Sequence, residues 1–195
     1  MSRVRRYPTG VRMAVAGAAL ILLGVGCLPN FKAPLRDNGV VVDAAVYEGS
    51  WVVRSAWGSR RMADDRPATV TRTGVNRLRA VSKSGDDEAI YEVTLARVAD
   101  RTFASYRAEG SRQSWRIVRL DLEDDGKRLV VRTIRIDLVK AAIEAGELTG
   151  VVLEEGSGDG WIGVNSDEEA VRSYVAANSA AFDGEVLVME RSTGS

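Results

Sequence analysis

Trp115-Arg116-Ile117-Val118-Arg119-Leu120-Asp121-Leu122, Glu123-Asp124-Asp125-Gly126-Lys127 and Arg128-Leu129-Val130-Val131-Arg132-Thr133-Ile134-Arg135-Ile136-Asp137 follow one another in the chain, and their reading decides the fold class. Val118, Leu120 and Leu122 alternate with Arg119 and Asp121, the period-two pattern of a strand with one apolar face. An Asp-Gly pair between runs rich in β-branched residues is a hairpin signal. The return run, 128–137, alternates less regularly, which leaves its register open.

The upstream chain repeats this pattern. Trp51-Val52-Val53 opens a first strand, and a polar segment over 58–66 leads to Pro67. Short apolar-polar runs follow at 68–72, 77–82, 89–98 and 102–107, the last alternating Phe103 and Ser105 with Ala104 and Tyr106. Gly74 and Ser84-Gly85-Asp86-Asp87 supply turns between them. Downstream the period changes. Leu138, Ala141, Ala142 and Ala145 recur at helical spacing before Gly146. Residues 151–153 and 161–164 read as brief strands. Ser166 followed by Glu169 reads as a capping box opening a helix to about Asn178, with Ala170, Val171, Tyr174 and Val175 on one face. Phe182 and a strand over 185–190 close the chain. The expectation is a mainly β fold with minor α: an antiparallel barrel or curved meander sheet with two short C-terminal helices, as a single domain over 46–195.

Gly49-Ser50-Trp51, at the start of the first strand, is similar to the G-x-W of lipocalin-like barrels. That resemblance implies a closed barrel carrying a small apolar or anionic ligand. The wider layout, an antiparallel sheet joined to a C-terminal helical piece, resembles that of small bacterial lipoproteins and implies no activity.

The chain starts with Arg3, Arg5, Arg6 and Arg12 and no acid, followed by an apolar run from Met13 to Gly26. Basic start, apolar stretch and small terminal residues are the layout of a secretory signal. The run has 14 residues, short of the roughly 20 that a helix needs to cross a bilayer. Leu23-Gly24-Val25-Gly26-Cys27 resembles the lipobox of bacterial lipoproteins, in which cleavage falls between Gly26 and Cys27 and the cysteine is lipidated. Gly24 stands where that family prefers an aliphatic residue, and Gly24-Val25-Gly26 also suits ordinary signal cleavage. Cys27 is the only cysteine, so no intramolecular disulfide can form, and lipid on its sulfur removes a reactive thiol from an oxidising compartment. The expected organisation is a signal over 1–26, the lipidated cysteine and a tether over 27–45, then the domain. Leu28 is not the aspartate that retains some lipoproteins at an inner membrane. The resemblance therefore favours a periplasm-facing outer-membrane address where the cell has an outer membrane.

Without residues 1–26 the chain keeps 23 basic against 27 acidic side chains, a balance with no general attraction for nucleic acid. Histidine is absent, which removes imidazole acid–base catalysis, Ser-His-Asp triads and most zinc sites. Carboxylate pairs remain as a route to glycan hydrolysis, but Asp86-Asp87-Glu88, Glu123-Asp124-Asp125 and Asp167-Glu168-Glu169 sit where turns and helix starts use acids. Lys32, Lys83, Lys127 and Lys140 have no serine motif nearby. Gly158-Asp159-Gly160-Trp161-Ile162-Gly163 spells G-x-G-x-x-G, but Trp161 and Ile162 read as strand rather than phosphate loop. Glu154, Glu155 and Asp159 read as a solvated loop rather than a calcium site.

Arg72, Arg77, Arg79, Arg97, Arg107, Arg116, Arg119, Arg128, Arg132 and Arg135 lie mostly on strands. They read as a solvated outer face, or in part as a barrel mouth gripping an anionic lipid or sugar phosphate. Trp51, Trp57, Trp115 and Trp161 divide in the same way between core and ligand-stacking roles. The expectation is thus a non-enzymatic, membrane-anchored envelope lipoprotein without metal or cofactor, structural or partner-binding. Its alternatives are a lipocalin-like carrier and, more distantly, a carboxylate-dependent glycan hydrolase. A carrier needs a hollow apolar lumen, whereas a structural role predicts a filled core.

Overall fold

A computed structural model describes residues 28–55, 66–112, 114–153 and 161–192. Gly26 and Cys27, and with them the signal and the lipidation site, lie outside the described residues, as do Trp57, Glu154, Glu155, Gly158, Asp159 and Gly160.

Eight strands close into an antiparallel barrel in the order β11-β2-β3-β4-β5-β6-β7-β8. They are β2 (Gly49–Ser55), β3 (Arg66–Gly74), β4 (Arg77–Ser84), β5 (Asp87–Val98), β6 (Arg101–Ala108), β7 (Arg116–Glu123), β8 (Arg128–Thr133) and β11 (Gly184–Arg191). The expected choice between barrel and open sheet is settled by β11, which pairs with β2 through Met189 and Val53 and with β8 through Val188 and Val130. Closure leaves no unpaired edge in this sheet.

The hairpin that opened the reading is β7–β8. Leu120 faces Val131 and Leu122 faces Leu129, which fixes the register left open above. Its turn takes Asp124, Asp125 and Gly126 through positive φ, tolerated by the short polar side chains and by glycine. The return strand is shorter than expected. Thr133 pairs with Gly184, the first residue of β11, and the chain beyond leaves the sheet to form α1 (Ile136–Glu144).

Strand alternation makes two cores. Inward-facing Trp51, Val70, Leu78, Leu95, Val118 and Met189 belong to the barrel interior. Outward-facing Ala96, Val98, Phe103 and Ile117 on β5–β7 belong to a second core, covered by α1, α2 (Glu168–Ala177) and a small sheet. That sheet runs β1 (Asn30–Phe31), β10 (Trp161–Val164), β9 (Gly150–Leu153), with β1 parallel to β10.

Three local expectations change. Helix α1 buries Val139 and Ala142, while Ala141 and Ala145 are exposed. The stripe therefore starts from Ile136 and not from Leu138, since Ile136 and Ile143 also pack on the second core. Helix α2 is capped by Asp167, whose Oδ1 accepts from Ala170 N at 2.9 Å. Ser166 Oγ is occupied instead by Thr149 N at 2.7 Å. Finally, the segment expected as a tether is packed into the fold: Leu28, Phe31, Leu35, Val42 and Ala44 are buried. Extended chain without a strand partner shows no periodicity, so its burial leaves no pattern to read.

Outside the barrel, Arg119 and Arg132 stand directly opposite each other on β7 and β8, a like-charge pair that is unfavourable alone. Asp121 reconciles them, accepting from Arg119 Nη2 at 2.8 Å and Arg132 Nε at 2.7 Å. Arg119 also donates to Ser179 O at 3.0 Å, fastening the turn after α2 to the barrel wall. Partial burial opposes the Asp121 charge, but the two arginines outweigh it and hold its pKa below the ordinary 3.8. A carboxylate whose pKa is depressed on folding contributes stability above its ordinary value and loses it as pH falls through the folded one. Unfolding free energy is therefore expected to drop below about pH 4, and Asp121→Asn to flatten that acid limb while lowering stability at pH 7. Urea titrations across pH 2 to 7 check this, and an unchanged acid limb in the variant would remove Asp121 from the account.

A candidate ligand site in the barrel

One end of the barrel is shut by the chain that enters it. A 3-10 turn, Ala44–Tyr47, is capped by Asp43 and leads into Gly49-Ser50-Trp51. Trp51 is 1% exposed, and its Nε1 donates to Tyr47 O at 3.0 Å. Arg191, at the end of β11, lies over the Trp51 ring at 4.5 Å. Its guanidinium donates to Glu48 O, Val46 O and Gly126 O at 2.6 to 2.7 Å. Gly49 has φ +129, and a Cβ there would meet Arg191 Nη1 at 2.8 Å. The three-residue motif thus has a physical reading: glycine admits the guanidinium, and tryptophan underlies it. The motif was legible in sequence, whereas Arg191 was not singled out there.

Asn76, in the β3–β4 turn, holds the preceding strap across the same end. Its side chain accepts from Val42 N at 2.7 Å and donates to Asp37 Oδ2 at 2.7 Å and Val40 O at 3.1 Å.

Above this floor the lumen is hollow. The cavity has a volume of about 110 Å³ and an apolar lining that includes Ala68, Val70, Ala80, Ala104, Val118 and Leu187. Alanines at facing positions create the space, because neighbouring side chains do not fill what a larger residue would occupy. Among the described residues its only polar contributors are the tyrosines Tyr47, Tyr91 and Tyr106, and no acidic residue lines it. Inward-facing Ala80, Ala89, Val93, Leu120 and Leu122 retain partial exposure.

Toward the other end, Tyr91 and Tyr106 meet edge to face at 6.2 Å. Tyr106 is 7% exposed, and its hydroxyl is buried with no hydrogen-bond acceptor among the described residues. Arg116 is paired across the sheet with Tyr106 and continues the inward series Val118, Leu120, Leu122. Burial pushes the Tyr106 phenol far above its ordinary pKa, and Arg116, by its charge and its closeness to the hydroxyl, only partly offsets that. Burial likewise raises Tyr91, against the Arg116 charge.

Most of the remaining arginines differ from Arg116 in having an acidic partner. Arg72 pairs with Glu48, Arg79 with Glu109, Arg107 with Glu92, Arg128 with Glu123 and Arg135 with Asp137. Arg97 donates to Thr102 Oγ1, and Arg77 lines an outer groove beside Arg79. Among the described residues Arg116 has no ion pair. Its signal in the sequence was a charge on the apolar face of the deciding strand.

The other candidates are dispersed. Asp87 and Glu88 begin β5, where Glu88 pairs with Lys83. Asp124 and Asp125 form the β7–β8 turn, and the 167–169 acids open α2. Lys32 follows β1, Lys127 follows the hairpin turn, and Lys140 approaches Glu144 on α1. Trp115 is stacked under Arg107 at 4.4 Å, and Trp161 is exposed on β10 with its ring across Gly163. Comparison with protein-family models, with curated proteins and with solved structures finds no match for this chain.

Proposed function

We propose that this protein is a lipocalin-like carrier, held at a bacterial envelope membrane by lipid on Cys27, that shelters a small ligand in its barrel. The observation carrying this reading is the apolar cavity of about 110 Å³ inside a closed barrel. A dry cavity of about 150 Å³ suffices to bind benzene, so the lumen accepts a slender hydrocarbon rather than a bulky ring system. Met189, at its wall, is flexible enough to give more room. The anchor reading rests on the basic and apolar start and on the sequence 23–27. Leu28, immediately after the cysteine, is buried in the fold, so an anchored barrel sits against its membrane with little slack.

The partner-binding reading keeps one observation of its own. Val40, Val41 and Val75 are 46 to 73% exposed at the strapped end of the barrel, where Asn76 brings their backbones together. Exposed apolar side chains gathered in one place suit a protein contact.

Native mass spectrometry of the full chain, gently extracted from the envelope of its own cells, tests the carrier and the anchor together. The expected mass is that of the chain from Cys27 onward with acyl groups attached, plus a small noncovalent cargo. Ala104→Phe, which fills the lumen, is expected to lose the cargo and keep the acyl groups. Absence of cargo on the parent protein overturns the carrier, and an unmodified Cys27 overturns the anchor.

A further inference from the structure

We infer that the cargo is a single-chain amphiphile with an anionic head, carboxylate or phosphate, and that Arg116 and Tyr106 hold that head above the lumen. This rests on the carrier reading and adds the chemistry of the ligand to it.

Three independent features converge on the same place. Arg116 is inward-facing by register, because its cross-strand partner Tyr106 lines the cavity and its neighbours Ile117 and Trp115 belong to the outer core. It has no acidic partner among the described residues, although Arg107 on β6 and Arg132 on β8 are paired with Glu92 and Asp121. The Tyr106 hydroxyl is deeply buried beside the Arg116 guanidinium, and its proton has no acceptor among the described residues. Native proteins seldom leave a buried hydroxyl unsatisfied, and the half-buried Arg116 guanidinium beside it has no carboxylate among the described residues. One bound oxyanion completes both: the guanidinium fork donates to two oxygens, and the phenol donates to one of them. Directly below, Ala104 and Val118 open onto the apolar cavity, where only a hydrocarbon tail is compatible with the lining. A head that fits Arg116 and a tail that fits the lumen belong to one molecule.

The tail is thin. A volume of about 110 Å³ admits a short alkyl segment and excludes a diacyl lipid. Phosphate and carboxylate share the geometry that the fork recognises, so the head is specified as an oxyanion, and titration separates the two.

The test compares octanoate, octyl phosphate and octan-1-ol, which share one tail, by isothermal titration calorimetry on the full, cargo-free chain at pH 7. Octanoate or octyl phosphate is expected to bind about 10- to 100-fold more tightly than octanol, the range of a charge-assisted contact. Added salt is expected to narrow the difference. Arg116→Met keeps the apolar stem and is expected to abolish the preference while retaining octanol binding, which also shows that the variant is folded. Tyr106→Phe is expected to reduce the preference about tenfold without affecting octanol. Equal binding of all three ligands to the parent protein overturns the head-group assignment and leaves the carrier standing. Binding of none of them overturns the carrier itself. A preference that survives in Arg116→Met places the head elsewhere and also overturns the inference.

Discussion

Arg191→Ala is expected to destabilise the protein by about 4 kcal/mol, from hydrogen bonds that carry charge at roughly 1.5 to 3 kcal/mol each and combine less than additively. The guanidinium satisfies three carbonyls from two parts of the chain, Val46 and Glu48 before β2 and Gly126 in the β7–β8 turn. Its truncation leaves those acceptors at the barrel floor and removes the stacking on Trp51, worth about 0.5 to 2 kcal/mol. For a chain of this size the loss corresponds to a fall in Tm of about 10 °C. Arg191→Lys is expected to recover little, because an ammonium cannot present a planar fork to separated carbonyls. A double-mutant cycle with Trp51→Phe isolates the ring contribution. Calorimetric unfolding decides the matter: a loss under about 1 kcal/mol would falsify the view that this side chain locks the barrel floor. The consequence reaches function, since a floor without its lock lets water into the lumen and weakens every apolar ligand.

The strands were legible in the sequence for a local reason. Each is bounded by turn residues and alternates in polarity, and both signals are local to the sequence. Barrel closure was not legible, because β2 and β11 are paired across most of the domain and nothing local marks a partner so distant. The same distinction governs the site. Gly49-Ser50-Trp51 was visible, but Arg191 acquires its role only when β11 returns to the first strand. Arg116 was one arginine among many by composition, and β7 alone already placed it on the face of Val118 and Leu120. What the sequence did not show was that this face encloses a cavity and that Tyr106 stands opposite. Helix α1 was displaced by two residues because alanines were counted as buried, whereas Ile136 and Ile143 set the covered face. The strap over 28–45 was misread as a tether for the opposite reason: its buried residues follow no period at all.

The strap also sets the second large effect. Asn76 is 2% exposed and has φ +54, so the position combines a buried side-chain amide with a left-handed backbone. The amide serves the strap through Val42 N, Val40 O and Asp37, while its own carbonyl accepts from Leu95 N at 2.8 Å across the β4–β5 pair. Asn76→Ala is expected to cost about 3 to 4 kcal/mol, combining unsatisfied strap groups with about 1 kcal/mol for a Cβ that handles positive φ poorly. Asn76→Gly relieves the backbone and not the amide, so it is expected to be about 1 kcal/mol better than alanine and still well below the parent protein. Asn76→Asp keeps an acceptor for Val42 N but sets a carboxylate against Asp37. Hydrogen exchange at the Val42 amide reads the strap directly: all three substitutions are expected to accelerate it, with glycine and alanine alike. If glycine restores the parent stability, Asn76 is there for its backbone conformation alone, and the strap closes the barrel by the burial of Val42 and Ala44. If glycine leaves most of the loss in place, the amide is the fastener that separates a lumen dry enough for an alkyl tail from one open to water at its floor.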